Sequence, residues 1–180
     1  PPGGPVYTAA KGRWRAGGDA PRPFGAGGLE LELDCVIRGD GPASTWAEEA
    51  RGGDKVGVGG PRGSMIVPGD FDHYVLVGDE TALPAIGRWL EEMPKDTKVT
   101  VLAEVASLDE KQALARDARW FVRGESPSLD EALDELPIPE GDTFWWVATE
   151  SKRARELRSL LVETRRVDKD WVKATGYWQA

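Results

Sequence analysis

The chain has 180 residues, 40% of them hydrophobic, which is enough for one sizeable core or two small ones. Its net charge of −8 and isoelectric point near 4.8 disfavour nucleic acid and anionic lipid as partners. A lone Cys35 excludes an intramolecular disulfide framework, and with one His there is no soft-ligand cluster for a metal, so redox chemistry would have to come from a bound cofactor.

Residues 1–28 read as Gly- and Pro-rich loop with one possible strand at Val6-Tyr7-Thr8. Leu29, Leu31, Leu33, Cys35 and Ile37 then alternate with Glu30, Glu32, Asp34 and Arg38, the period of a half-buried antiparallel strand. Trp46 to Ala50 predicts a short helix, Lys55 to Val58 a strand and Ser64 to Val67 another. Strands and turns without long helices predict a partial antiparallel β-barrel or sheet over 1–68.

After Gly69 the texture changes. His73 to Val77 predicts a buried strand, Ala82 to Met93 a helix, and Lys98 to Val105 and Arg119 to Val122 two further strands. A helix over Ser128–Leu136, a strand over Thr143–Ala148 and a helix over Ser151–Thr164 complete the pattern. Continuous apolar strands linked by helices predict an α/β domain over 69–180, with a parallel sheet covered on both faces. No apolar run approaches about 18 residues and no secretory leader is visible, so the expectation is no membrane span and a cytoplasmic location.

The turn Gly78-Asp79-Glu80-Thr81 joins a strand directly to a helix start, where free N–H groups point at whatever lies above the sheet edge, usually a nucleotide in a doubly wound fold. It matches neither common phosphate-loop pattern. Thr81 is placed to cap the helix and to donate to a phosphate, whereas Asp79 and Glu80 would repel one. The two acids therefore orient a ribose or nicotinamide, or only compensate the helix dipole. Glu104, at the end of its strand, stands where an acid contacts a ribose hydroxyl in many dinucleotide folds. Lys152, Arg153, Arg155 and Arg158 form the densest basic cluster of this half, either a solvated helix face or, through Lys152 or Arg155, an approach to phosphate or an anionic chelate. Gly41-Pro42-Ala43-Ser44 puts small residues at a helix start, suited to a diphosphate or simply capped by Ser44. No triad or paired-carboxylate pattern appears, and no residue is assigned as catalytic or metal-binding.

In order, Tyr7-Thr8, Gly41-Pro42-Ala43-Ser44, Gly60-Pro61-Arg62-Gly63, Gly78 to Ile86 and Gly176-Tyr177-Trp178 resemble the siderophore-interacting protein family, over roughly residues 5 to 178. The resemblance implies a flavin-binding barrel followed by a ferredoxin-reductase-like domain for the nicotinamide nucleotide. It implies FAD and NADPH or NADH as cofactors, a ferric siderophore as substrate, and reduction that releases iron as Fe(II). Within it, Tyr7 stacks on the flavin and Thr8 hydrogen-bonds near its reactive nitrogen, while Pro5 replaces the family's flavin-phosphate arginine. Arg38 stands where a His is common and compensates in charge. Ala148-Thr149-Glu150 replaces an Ala-Gly-Glu segment near the nicotinamide, with Thr149 narrowing the channel, and Trp178 is the aromatic that lies over the flavin and yields to the nicotinamide. The family's barrel strands before Tyr7 are missing from this sequence, leaving open edges that favour a homodimer. The alternative is a non-catalytic, degenerate nucleotide-binding or assembly module of the same descent.

Overall fold

The computed structural model describes residues 6–8, 42–57, 67 and 69–179. The chain divides into two compact units, Pro1–Pro68 and Gly69–Ala180.

In the first unit, β1 (Val6–Thr8) pairs antiparallel with β2 (Lys55–Gly57), Tyr7 opposite Val56, and α1 spans Pro42–Glu49. The expected helix thus begins earlier than Trp46. Proline lacks an N–H that the first helical position does not need, so α1 opens on Pro42 and Ser44 sits within its first turn rather than at its N-cap. The strands expected over 29–37 and 64–67 fall, but for Val67, outside the described residues.

The second unit is a parallel five-stranded sheet of order β5-β4-β3-β6-β7, from β3 (His73–Gly78), β4 (Lys98–Val105), β5 (Arg119–Val122), β6 (Thr143–Glu150) and β7 (Val172–Trp178). Central β3 and β6 are buried along almost their whole length, as continuous apolar runs require when both faces are covered. On one face Val75, Val77, Leu102, Phe121, Trp145 and Val147 pack under α3 (Leu129–Glu135) and α4 (Ser151–Ser159), through Leu129, Leu133 and Leu157. Each fully buried aliphatic side chain contributes about 1.5–3 kcal/mol. The alternate residues Tyr74, Phe144 and Trp146 face α2 (Leu83–Glu92) and meet Trp89 at ring separations of 5.8–6.4 Å.

Local chemistry explains the helix limits. Ser128 and Glu131 form a reciprocal capping box at the head of α3, which holds the Glu131 carboxyl below its usual range, chiefly through the Ser128 backbone N–H. Arg116 donates to the carbonyls of Met93, Pro94 and Thr97 beyond α2, and Arg165 to those of Leu133 and Leu136 at the end of α3. The expected helix to Thr164 is α4 followed by a wider π-helical turn, Leu160–Thr164, closed by Arg165 N–H on the Leu160 carbonyl.

Candidate functional site

The strand order reverses between β3, whose next strand β4 lies to one side, and β6, which lies to the other. Ligands of open α/β sheets bind beyond the carboxyl ends of the strands at such a switch. Gly78 ends β3 there. A Cβ at this position would lie 2.3 Å from the Ala82 Cβ and 2.9 Å from the Ala148 carbonyl oxygen, so only glycine lets α2 start this close to the sheet.

Asp79 follows Gly78 and is 1% exposed. Its Oδ1 accepts from the backbone N–H of Thr81 at 2.9 Å and from the Thr81 hydroxyl. Its Oδ2 accepts from the Thr149 hydroxyl at 2.7 Å, from the end of β6, and from the Trp178 indole Nε1–H at 2.8 Å, from the end of β7. A carboxylate has about four acceptor positions. Those of Asp79 are filled by the protein.

This arrangement corrects one expectation and adds a role to a second residue. Thr81 does not cap α2: Ala82 is the N-cap, without a side-chain hydrogen bond, and the Thr81 hydroxyl turns back to Asp79. A short polar side chain bonding the backbone two residues on is a local turn that competes with capping. The Thr149 hydroxyl ties β6 to the β3 turn.

A second cluster lies beyond β4 and β5. Glu104, with its side chain 3% exposed, accepts both arms of the Arg153 guanidinium at 2.7 and 2.9 Å and the Arg123 Nε–H at 3.2 Å. Arg153 also donates to Asp130 at 2.6 Å, and Arg123 to both Glu80 oxygens. Burial pulls the Arg153 guanidinium down, but the hydrogen bonds and charges of Glu104 and Asp130 outweigh it and hold it above its ordinary value. Hydrogen bonding to Glu80 does the same for Arg123. Among the described residues the cluster sets three carboxylates, Glu80, Glu104 and Asp130, against two guanidiniums.

At the head of α4, Glu150 accepts from the N–H groups of Lys152 and Arg153 at 2.7 and 2.9 Å and serves as N-cap. The Lys152 side chain is 76% exposed, with Glu156 at 3.7 Å. β7 gains one residue against β6: Gly176 lies opposite Thr149 and Trp178 opposite Glu150, so Tyr177 is the extra residue of a bulge. Tyr177 packs edge-on against Trp146 at 6.1 Å, and the Ser151 hydroxyl holds the Trp178 carbonyl at 2.8 Å.

The structure therefore brings Asp79, Thr81, Thr149 and Trp178 into one cluster, Glu80 and Glu104 into another, and Ala148, Glu150 and Lys152 beside the first. Arg38 and Gly41 lie outside the described residues, and for Tyr7, Thr8, Pro42 and Ala43 the backbone alone is described. Ser44 is buried in α1 of the first unit. Sequence reasoning missed the organising part of Arg153, whose partners lie 23 and 49 residues away, and of Ser151.

Strand order, with helices on both faces of the sheet, defines the second unit as a doubly wound parallel α/β domain. The siderophore-interacting protein model matches residues 71–180 and the siderophore-interacting FAD-binding domain model residues 20–65, and the chain belongs to the siderophore-interacting protein family. It is 35% identical over 158 residues to the NADPH-dependent ferric-chelate reductase of Escherichia coli, covering 84% of this chain and 61% of that protein. To ferric vibriobactin reductase ViuB of Vibrio cholerae it is 32% identical over 170 residues, covering 88% and 62%. The chain thus spans less than two thirds of the length of these relatives. Among solved structures, the siderophore-interacting protein SipS from Aeromonas hydrophila superposes with a TM-score of 0.74 at 33% identity, over 89% of this chain and 71% of that one. A siderophore utilization protein from T. fusca gives 0.71 at 39% identity, over 80% and 58%.

A dinucleotide needs cations or N–H donors for its diphosphate. The carboxyl edge offers the exposed Lys152 ammonium at the head of α4 and the uncapped first turn of α2. The donor set fits a nicotinamide nucleotide, with the carboxylates of Asp79 and Glu104 shaping the edge from within.

Proposed function

We propose that this protein reduces ferric siderophores with electrons from NADPH or NADH by way of FAD, so that iron leaves as Fe(II). The observation that carries the reading is the succession of an FAD-binding family match over 20–65 and a siderophore-interacting match over 71–180 in one chain. The relatives, named as ferric-chelate and ferric-siderophore reductases, favour catalysis over a degenerate binding module.

FAD, when bound, supplies the conversion of a two-electron hydride donor into single electrons for iron. The protein's part is orientation. In the first unit, a barrel-type flavin domain, Tyr7 and Thr8 are assigned to the flavin ring, and Arg38 with Gly41, Pro42, Ala43 and Ser44 to its diphosphate. In the second unit, the ferredoxin-reductase-like nucleotide domain, Ala148, Thr149, Glu150 and Lys152 receive the nicotinamide nucleotide. Asp79 and Glu104 act by holding Trp178 and Arg153 in place. No side chain is needed as nucleophile or general base.

The test is a visible absorbance spectrum of the purified chain after FAD is added and excess is removed. Retained flavin, bleached by NADPH without air and restored by a ferric siderophore as a ferrous-iron trap colours, is the expected result. A folded protein that retains no flavin overturns it.

A further inference from the structure

Trp178 belongs to the edge strand β7, yet its indole N–H reaches a carboxylate at the end of β3, with β6 between them. Adjacent strands are about 4.8 Å apart, so the indole lies across the carboxyl end of β6, over the switch point. Two anchors fix it there: Asp79 Oδ2 on the ring at 2.8 Å and Ser151 Oγ on the carbonyl at 2.8 Å. Asp79 is itself held by three further donors, one being the Thr149 hydroxyl on the same Oδ2. A buried carboxylate with all its donors in place is a rigid acceptor, and hydrogen bonds to charged groups are about twice as strong as neutral ones.

We propose that Asp79 is the positioning residue for Trp178, and that with Thr149 it sets the affinity for the nicotinamide nucleotide. The inference rests on the nucleotide reading above. An indole pinned over the switch point occupies space that a nucleotide's ring needs, so entry requires the indole N–H bond to open. The strength of that bond is then subtracted from nucleotide affinity.

The experiment compares the 180-residue chain with Asp79→Asn, Thr149→Val and Trp178→Phe, reading NADP+ binding by calorimetry and the Trp178 indole N–H by nitrogen-15 NMR. In Asp79→Asn the amide keeps its oxygen toward Thr81 and turns an NH2 toward Trp178, which can no longer donate. Expected are a displaced, faster-exchanging indole resonance and NADP+ binding tighter by about tenfold. Trp178→Phe binds tighter to a similar extent, and adding Asp79→Asn to it changes nothing further, the non-additivity of two residues that share one interaction. Thr149→Val, which leaves the carboxylate in place, shifts the same resonance by less. An unmoved resonance in Asp79→Asn, or additive effects in the double variant while the parent binds NADP+, overturns the proposal and spares the nucleotide reading. No NADP+ binding by a folded parent overturns the nucleotide reading, and the affinity claim with it.

Discussion

Arg153 joins three elements of the second unit. Its guanidinium links α4 to Glu104 at the end of β4 and to Asp130 at the start of α3. Placing these charges out of water costs several kcal/mol per ion, so their net worth is small while the set is complete. Removing one partner is another matter. Arg153→Met would leave the buried Glu104 with only the longer bond from Arg123, and a loss of about 3–5 kcal/mol in urea-unfolding free energy is expected. The double variant Arg153→Met/Glu104→Leu should recover a large part of that loss, because an apolar pair leaves no orphaned charge. None of this was legible in the sequence. Arg153 reads as one of four cations on a helix face, and nothing at the level of residue type separates it from the exposed Lys152 beside it.

The elements themselves were legible wherever burial imposed a period or a cap. Continuous apolar runs mark β3 and β6 because both faces are covered, and Ser128 with Glu131 marks the head of α3 because the capping box needs that spacing. The edge strand β7 was read only as a closing motif. It pairs on one side, buries Val172 alone among its residues, and mixes Lys173, Thr175 and Gly176 into no clear alternation. Its docking depends on Gly176, where a Cβ would stand 2.3 Å from the Ser151 Oγ and 2.7 Å from the Ser151 Cα. Gly176→Ala should therefore push β7 off the start of α4 and cost about 1–3 kcal/mol, measured by urea unfolding. Ser151→Gly should not rescue it, since the 2.7 Å approach to the Ser151 Cα remains. Gly69→Ala, with no atom within 4 Å of its Cβ, serves as the silent control.

At the scale of the molecule, the acidic composition gives many carboxylates that titrate at low pH, but only one histidine, so stability changes just below neutrality have a single side chain to answer to. His73 opens β3 at the end of the sheet opposite the switch point, with its Nε2 2.9 Å from the Thr100 hydroxyl. Burial, with the Lys98 charge beside it, lowers its pKa from 6.5. The folded protein thus binds this proton less readily than the unfolded chain. Its contribution to stability is fully present above about pH 6.5 and is lost as pH falls through the lowered folded value. His73→Gln keeps a hydrogen-bonding partner for Thr100 and cannot titrate. Urea midpoints of the parent should drop more steeply than those of the variant between pH 7.5 and 5.5, whereas parallel curves would show that the imidazole is equally protonated in both states. Because this strand end lies away from Asp79 and Trp178, NADP+ binding at pH 7.5 should be the same in both proteins, which separates the stability of the sheet from the chemistry at its other end.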